Sequence, residues 1–180
     1  IEETQYRNSS LVEKTRSEYR FDNEVPYLYS SAKSYDPVSD NFQADVCNTK
    51  CDSRGNVLCS ILANGLQTVY LWGYNYKYLV AIIENVTLEE VETVLGETSE
   101  NYAAQSSPDL SKIALLRKEL KNSRITSYTY KPCAGVLTET DAAGHTIYYE
   151  YDTLGRLISV SDENRNKVNA YEYHHRRITD

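Results

Sequence analysis

The sequence predicts a mainly β chain: an antiparallel meander of β-hairpins, with a two-helix segment inserted near residues 87–122. Three observations predict it. Tyrosines recur two residues apart, at Tyr27/Tyr29, Tyr74/Tyr76/Tyr78, Tyr128/Tyr130, Tyr149/Tyr151 and Tyr171/Tyr173. That spacing puts each group on one face of a strand and argues against helix, whose spacing is three or four. Asp, Asn and Gly clusters separate the runs, and these residues start turns or supply positive φ. The third observation is a single stretch with helical capping and helical spacing.

Taken in order, strands are expected near residues 12–21, 25–35, 43–51, 56–62, 67–73 and 78–85. Asp22-Asn23, Asp36-Pro37, Asp52–Asn56 and Asn64-Gly65 mark turns between them. Thr87-Leu88-Glu89-Glu90 then reads as a capping box, with Leu88, Val91 and Leu95 at helical spacing and Gly96 as the stop. A second helix is expected from Ser107-Pro108, with Ser as N-cap and Pro at the first turn. Its stripe is Ile113, Leu116 and Leu120, with Leu110, Ala114 and Leu115 beside it. The polar residues 97–106 between the helices read as loop. Strands resume near 125–131, 136–140, 146–151, 157–161 and 168–175, with turns at Asp141–Gly144, Asp152–Gly155 and Asp162–Asn166.

Composition narrows the function classes. The 180 residues suit one domain, read as 1–180 with the helical insertion inside it. There are 17 Tyr against 2 Phe, 1 Trp and no Met, so many buried rings carry a hydroxyl. A net charge of −7 argues against a nucleic-acid face and against an anionic membrane surface. No apolar run approaches the roughly 18 residues of a membrane span. The chain opens at Ile1 without a signal-peptide pattern, which reads as a processed chain or a fragment.

Cys47, Cys51, Cys59 and Cys133 are too few and too uneven for a disulfide framework. Cys47 and Cys51 are expected on one strand face, and whether Cys59 joins them depends on the intervening turn. Reduced thiols are expected. There is no CxxC, and the histidines lie far off in sequence, so no metal is expected.

The two halves share a pattern. Cys51-Asp52-Ser53-Arg54-Gly55-Asn56-Val57-Leu58 aligns with Tyr151-Asp152-Thr153-Leu154-Gly155-Arg156-Leu157-Ile158, a shift of 100 residues. Tyr70-Leu71-Trp72 aligns with Tyr171-Glu172-Tyr173, one residue out of step. The second copy, Tyr149-Glu150-Tyr151-Asp152-Thr153-Leu154-Gly155-Arg156-Leu157, resembles the Tyr-Asp (YD) repeat of RHS-repeat proteins, whose pattern is Tyr-x-Tyr-Asp-x-x-Gly-Arg-Leu. The first copy keeps only Asp52 and Gly55 of it. With Tyr70–Tyr76 and Gly135–Leu157, the likeness covers residues 40–177 and extends to bacterial cell-surface YD-repeat proteins, toxin-complex shells and teneurins.

The resemblance implies a YD-repeat sheet strip with Asp52, Gly55, Asp152, Gly155, Arg156 and Leu157 as turn residues, and an extracellular or cell-surface location. It implies a non-enzymatic scaffold, adhesion or binding module, without cofactor. The alternatives are a fragment of a polymorphic-toxin shell and a carbohydrate-binding protein. Partners would be other YD repeats, a second copy joined at sheet edges, glycans or another cell surface.

Candidate chemistry is sparse. Asp52 and Asp152 form a conceivable carboxylate pair, but turn closure explains both. Adjacent His174 and His175 point to opposite faces of a strand, and His145 sits in a turn. No GxSxG elbow, GxGxxG or P-loop occurs. Tyr70, Trp72, Tyr74 and Tyr76 form a strand-like aromatic row suited either to stacking on sugar rings or to hairpin packing.

Overall fold

A computed structural model describes residues 1–7, 10–22, 25–32, 34–36, 41–43 and 46–174. The chain divides into two compact units, Ile1–Ile125 and Thr126–Asp180.

In the first unit, seven strands follow one another antiparallel: β1 (Glu2–Arg7), β2 (Ser10–Asp22), β3 (Val25–Ala32), β6 (Val46–Cys51), β7 (Val57–Leu62), β8 (Gln67–Gly73) and β9 (Tyr78–Glu84). Between β3 and β6, β4 (Ser34–Asp36) and β5 (Asn41–Gln43) pair only with each other. The strand expected over 25–35 is therefore two elements, and β1 precedes the first expected strand. Turn residues Asn23 and Pro37 lie outside the described residues.

Three helices follow β9, not two. Helix α1 (Leu88–Leu95) carries the expected capping box, with Thr87 and Glu90 bonded reciprocally, and ends on Gly96 at φ 70°. Helix α2 (Ser99–Ala104) occupies the segment expected as loop; Thr98 caps it by accepting from the Asn101 N–H. Helix α3 (Ser111–Glu119) starts later than expected. Ser107 is not its cap, because Pro108 is drawn against the sheet: a Cβ on Gly73 would stand 2.9 Å from Pro108 Cγ. The N-cap is Leu110, which makes no side-chain cap bond, and Asp109 before it accepts from the Ser111 N–H and hydroxyl.

These helices cover one face of β8 and β9. Val69, Leu71, Val80, Ala81 and Ile83 from the sheet meet Val86, Val91, Leu95, Tyr102, Ile113 and Leu116, with Ile125 closing the cluster. Each such buried aliphatic side chain stabilises by about 1.5–3 kcal/mol. The apolar spacing of α1 and α3 thus reports real packing, while Leu110 and Leu115 stay exposed.

The second unit is a bare meander of β10 (Arg124–Lys131, from Thr126 on), β11 (Gly135–Thr140), β12 (Thr146–Tyr151), β13 (Leu157–Ser161) and β14 (Lys167–Ala170). β14 stops at Ala170, short of the expected strand over 168–175; His175 lies outside the described residues.

Bulges recur just after the turns. Cys51 pairs with Val57 and Lys50 with Cys59, which leaves Leu58 extra. Tyr151 pairs with Leu157 and Glu150 with Ser159, which leaves Ile158 extra. These are the same position of the two aligned segments. A further extra residue, Thr49, breaks the period-two count between Cys47 and Cys51. Their spacing therefore does not place them on one face. The four cysteines are not joined in disulfides; Cys51 and Cys59 are buried, Cys47 half-buried and Cys133 exposed.

Candidate functional site

Four loops are built on one plan. Each opens with an aspartate whose Oδ1 accepts the backbone N–H two and four residues on. Asp52 takes Arg54 at 2.9 Å and Asn56 at 2.8 Å. Asp141 takes Ala143 and His145, both at 2.9 Å. Asp152 takes Leu154 and Arg156, both at 2.9 Å. Asp162 takes Asn164 at 2.9 Å and Asn166 at 2.8 Å. Oδ2 holds the fifth residue's side chain: Asn56, His145, Arg156 or Asn166. The fourth residue turns left-handed, at φ 86° for Gly55, 98° for Gly144, 76° for Gly155 and 65° for Arg165. Asp supplies the acceptors and Gly the permissive backbone, so the composition dictates the loop.

These bonds set the electrostatics. The Arg156 N–H and guanidinium hold the Asp152 carboxyl below the ordinary aspartate range. The Asn166 side chain and N–H do the same for Asp162. At Asp141, partial desolvation is outweighed by the His145, Ala143 and Gly144 donors, and the net direction is again down. Both oxygens of Asp52 and of Asp152 are committed inside their own loops, which is the geometry of turn closure.

A second device ties adjacent strands of one hairpin together, β7 to β8, β11 to β12 and β13 to the segment after β14. The Trp72 indole N–H donates to the Val57 carbonyl at 2.8 Å. The Tyr151 phenol donates to the Val136 carbonyl at 2.9 Å. The Tyr173 phenol donates to the Leu157 carbonyl at 2.8 Å. Donor and acceptor are 15, 15 and 16 residues apart, and each acceptor lies at the start of a strand that leaves a turn. Arg156, held by Asp152, also lies 4.4 Å over the Tyr173 ring. Gly135 makes room: a Cβ there would stand 2.5 Å from the Tyr151 hydroxyl.

Residues 134–167 match the RHS Repeat family model. No curated protein matches the chain. Similar solved structures include TcdB2-TccC3-Cdc42, at 12% identity and a TM-score of 0.47, covering 92% of this chain and 9% of that one. TcdB2-TccC3 matches at 13% identity and 0.47, covering 86% and 8%. The Photorhabdus luminescens Tc holotoxin pore carrying a TccC3 mutation matches at 11% identity and 0.47, covering 96% and 8%. This chain spans less than a tenth of the length of those chains.

The matched segment contains three of the four loops whole, at Asp141, Asp152 and Asp162. The two faces of the second unit's sheet differ. Tyr128, Tyr149 and Tyr151 gather on one side near Glu139; burial, then that carboxylate, pushes the Tyr128 and Tyr149 phenols up. Strand alternation turns the hydroxyl pairs Thr129–Thr138 (2.7 Å) and Thr140–Thr146 (2.9 Å) to the other side.

The four candidate stacking aromatics do not form one strand row. Tyr70 and Trp72 lie on β8, facing away from the helices. The Tyr70 hydroxyl meets Ser60 Oγ at 3.2 Å. The row breaks at Gly73, because Tyr74, Asn75 and Tyr76 are left-handed, at φ 54°, 57° and 65°. Tyr74 packs against the core and edge-on to Tyr78. Tyr76 is half-buried beside Arg54, Ser53 and Glu100.

Sequence reasoning missed Asp141 and Asp162 as copies of the aligned loop. The signal was present as Asp-x-x-Gly in one and was hidden in the other by Arg165. Of the histidines, His145 bonds Asp141, and His174 stands exposed beside Glu172. Among the described residues, no cluster of His, Cys, Asp and Glu is arranged to hold a metal.

Proposed function

We propose that the chain is a structural RHS-repeat module, a strip of stacked hairpins that serves as scaffold in a toxin-associated or cell-surface assembly. The observation that carries this reading is the repeated aromatic-to-carbonyl bond at Trp72, Tyr151 and Tyr173. A binding or catalytic site has no need for the same bond three times; an array does. The aspartates invite the same reading, since their acceptor capacity goes into their own loops. Partners follow from the architecture. β14 exposes all four of its residues, and a further YD hairpin is the natural neighbour for such an edge.

The alternative is a carbohydrate-binding face at Tyr70, Trp72, Tyr74 and Tyr76. A glycan array probed with the full chain and with Trp72→Phe separates the two. The scaffold reading expects no Trp72-dependent glycan signal and a loss of stability in the variant. Glycan binding that vanishes in a variant of unchanged stability contradicts it.

A further inference from the structure

We propose that helix α2 and the β8–β9 turn form one two-state clamp, in which the docked helix holds Tyr74–Tyr76 in a left-handed turn that relaxes when the helix lifts away. Three consecutive non-glycine residues in this conformation make a single turn of left-handed helix, closed by the Lys77 N–H on the Gly73 carbonyl at 3.0 Å. L-residues visit this region singly, and each one is unfavourable. The turn therefore needs outside support. The α2 end supplies it: the Asn75 N–H donates to the Gln105 carbonyl at 2.9 Å, and the Tyr76 N–H to the Ala103 carbonyl at 2.8 Å.

The first Asp loop grips the same pair of elements. The Ser53 N–H donates to Glu100 at 3.1 Å, and the Ser53 hydroxyl donates to the same carboxylate. The Asn56 amide donates to the Tyr76 carbonyl at 3.0 Å.

An independent observation sets the balance. Ser99, the first residue of α2, is fully buried, and its hydroxyl has no hydrogen-bond partner. Lifting α2 hydrates that hydroxyl and releases the left-handed turn. Docking buries Tyr102 and Ala103 and forms the bonds above. Opposed contributions concentrated in one short segment are what a local opening unit requires. Opening bares the apolar face of β8 without unfolding α1 or α3.

Amide hydrogen exchange on the full chain tests the coupling. Asn75 is exposed, so Asn75→Gly removes backbone strain and little else. Exchange at the Tyr76 and Tyr102 amides is expected to slow together, by about fivefold. Glu100→Gln weakens the grip, and both amides are expected to exchange faster together, with Leu71 and Ile83 unchanged. Either variant shifting Tyr102 without Tyr76, or Asn75→Gly leaving both unchanged, overturns the clamp.

Discussion

At the residue scale, the loop aspartates and the paired tyrosines bracket the pH range of the fold. Asp141, Asp152 and Asp162 all titrate below the ordinary value of 3.8. A depressed folded value contributes stability that is present above the unfolded value and lost as pH falls through the folded one. Burial moves the Tyr128, Tyr149 and Tyr151 phenols the other way, above 10.0. Their contribution is present below that value and lost as pH rises through the folded one. Thermal unfolding followed against pH is therefore expected to show a plateau between about 4 and 10. Phenolate absorbance should lag behind that of free tyrosine at the alkaline end. Glycines are the other residue-scale test. Gly155→Ala at φ 76° is expected to cost roughly 1–2 kcal/mol in urea unfolding. Gly135→Ala should also shift Tyr151, since the new Cβ occupies the place of its hydroxyl.

At the scale of elements, the insert shows which signals survive in a sequence. Helix α1 was legible because Thr87, Glu90 and Gly96 act locally, and its apolar spacing matches its buried face. Thr87→Ala is expected to lose about 1 kcal/mol, measured by urea unfolding of the first unit. Helix α2 was not legible. It has six residues, and only Tyr102 and Ala103 among its apolar side chains are buried, so no periodic stripe forms. Its one local sign was Thr98. The β8–β9 turn was misread for a related reason: Tyr74, Tyr76 and Tyr78 keep a spacing of two, but nothing in that spacing reveals a left-handed turn imposed by tertiary contacts. β12 and β13 were legible because loop chemistry and register agree there.

At the scale of the whole molecule, the repeat was legible in Asp and Gly, while the bond that ties adjacent strands across each hairpin was not. Trp72 reads as a candidate for sugar stacking because it alternates with Tyr70, Tyr74 and Tyr76, while its aligned partner, Tyr173, is a ring with a different polar atom. Both nonetheless place a donor on the same kind of carbonyl. If that equivalence is real, a tyrosine at position 72 keeps the device and a phenylalanine does not. The direct measurement is urea unfolding of the full chain carrying Trp72→Tyr or Trp72→Phe, monitored by circular dichroism. Both lose ring volume, so their difference isolates the donor. Repeat equivalence predicts that Trp72→Tyr is the more stable by about 0.5–1.5 kcal/mol, the net worth of one hydrogen bond, and that Tyr151→Phe loses a similar amount. Equal stability of the two Trp72 variants, with Tyr151→Phe unchanged from the parent, would contradict the aromatic-to-carbonyl bond as the recurring tie across the hairpins.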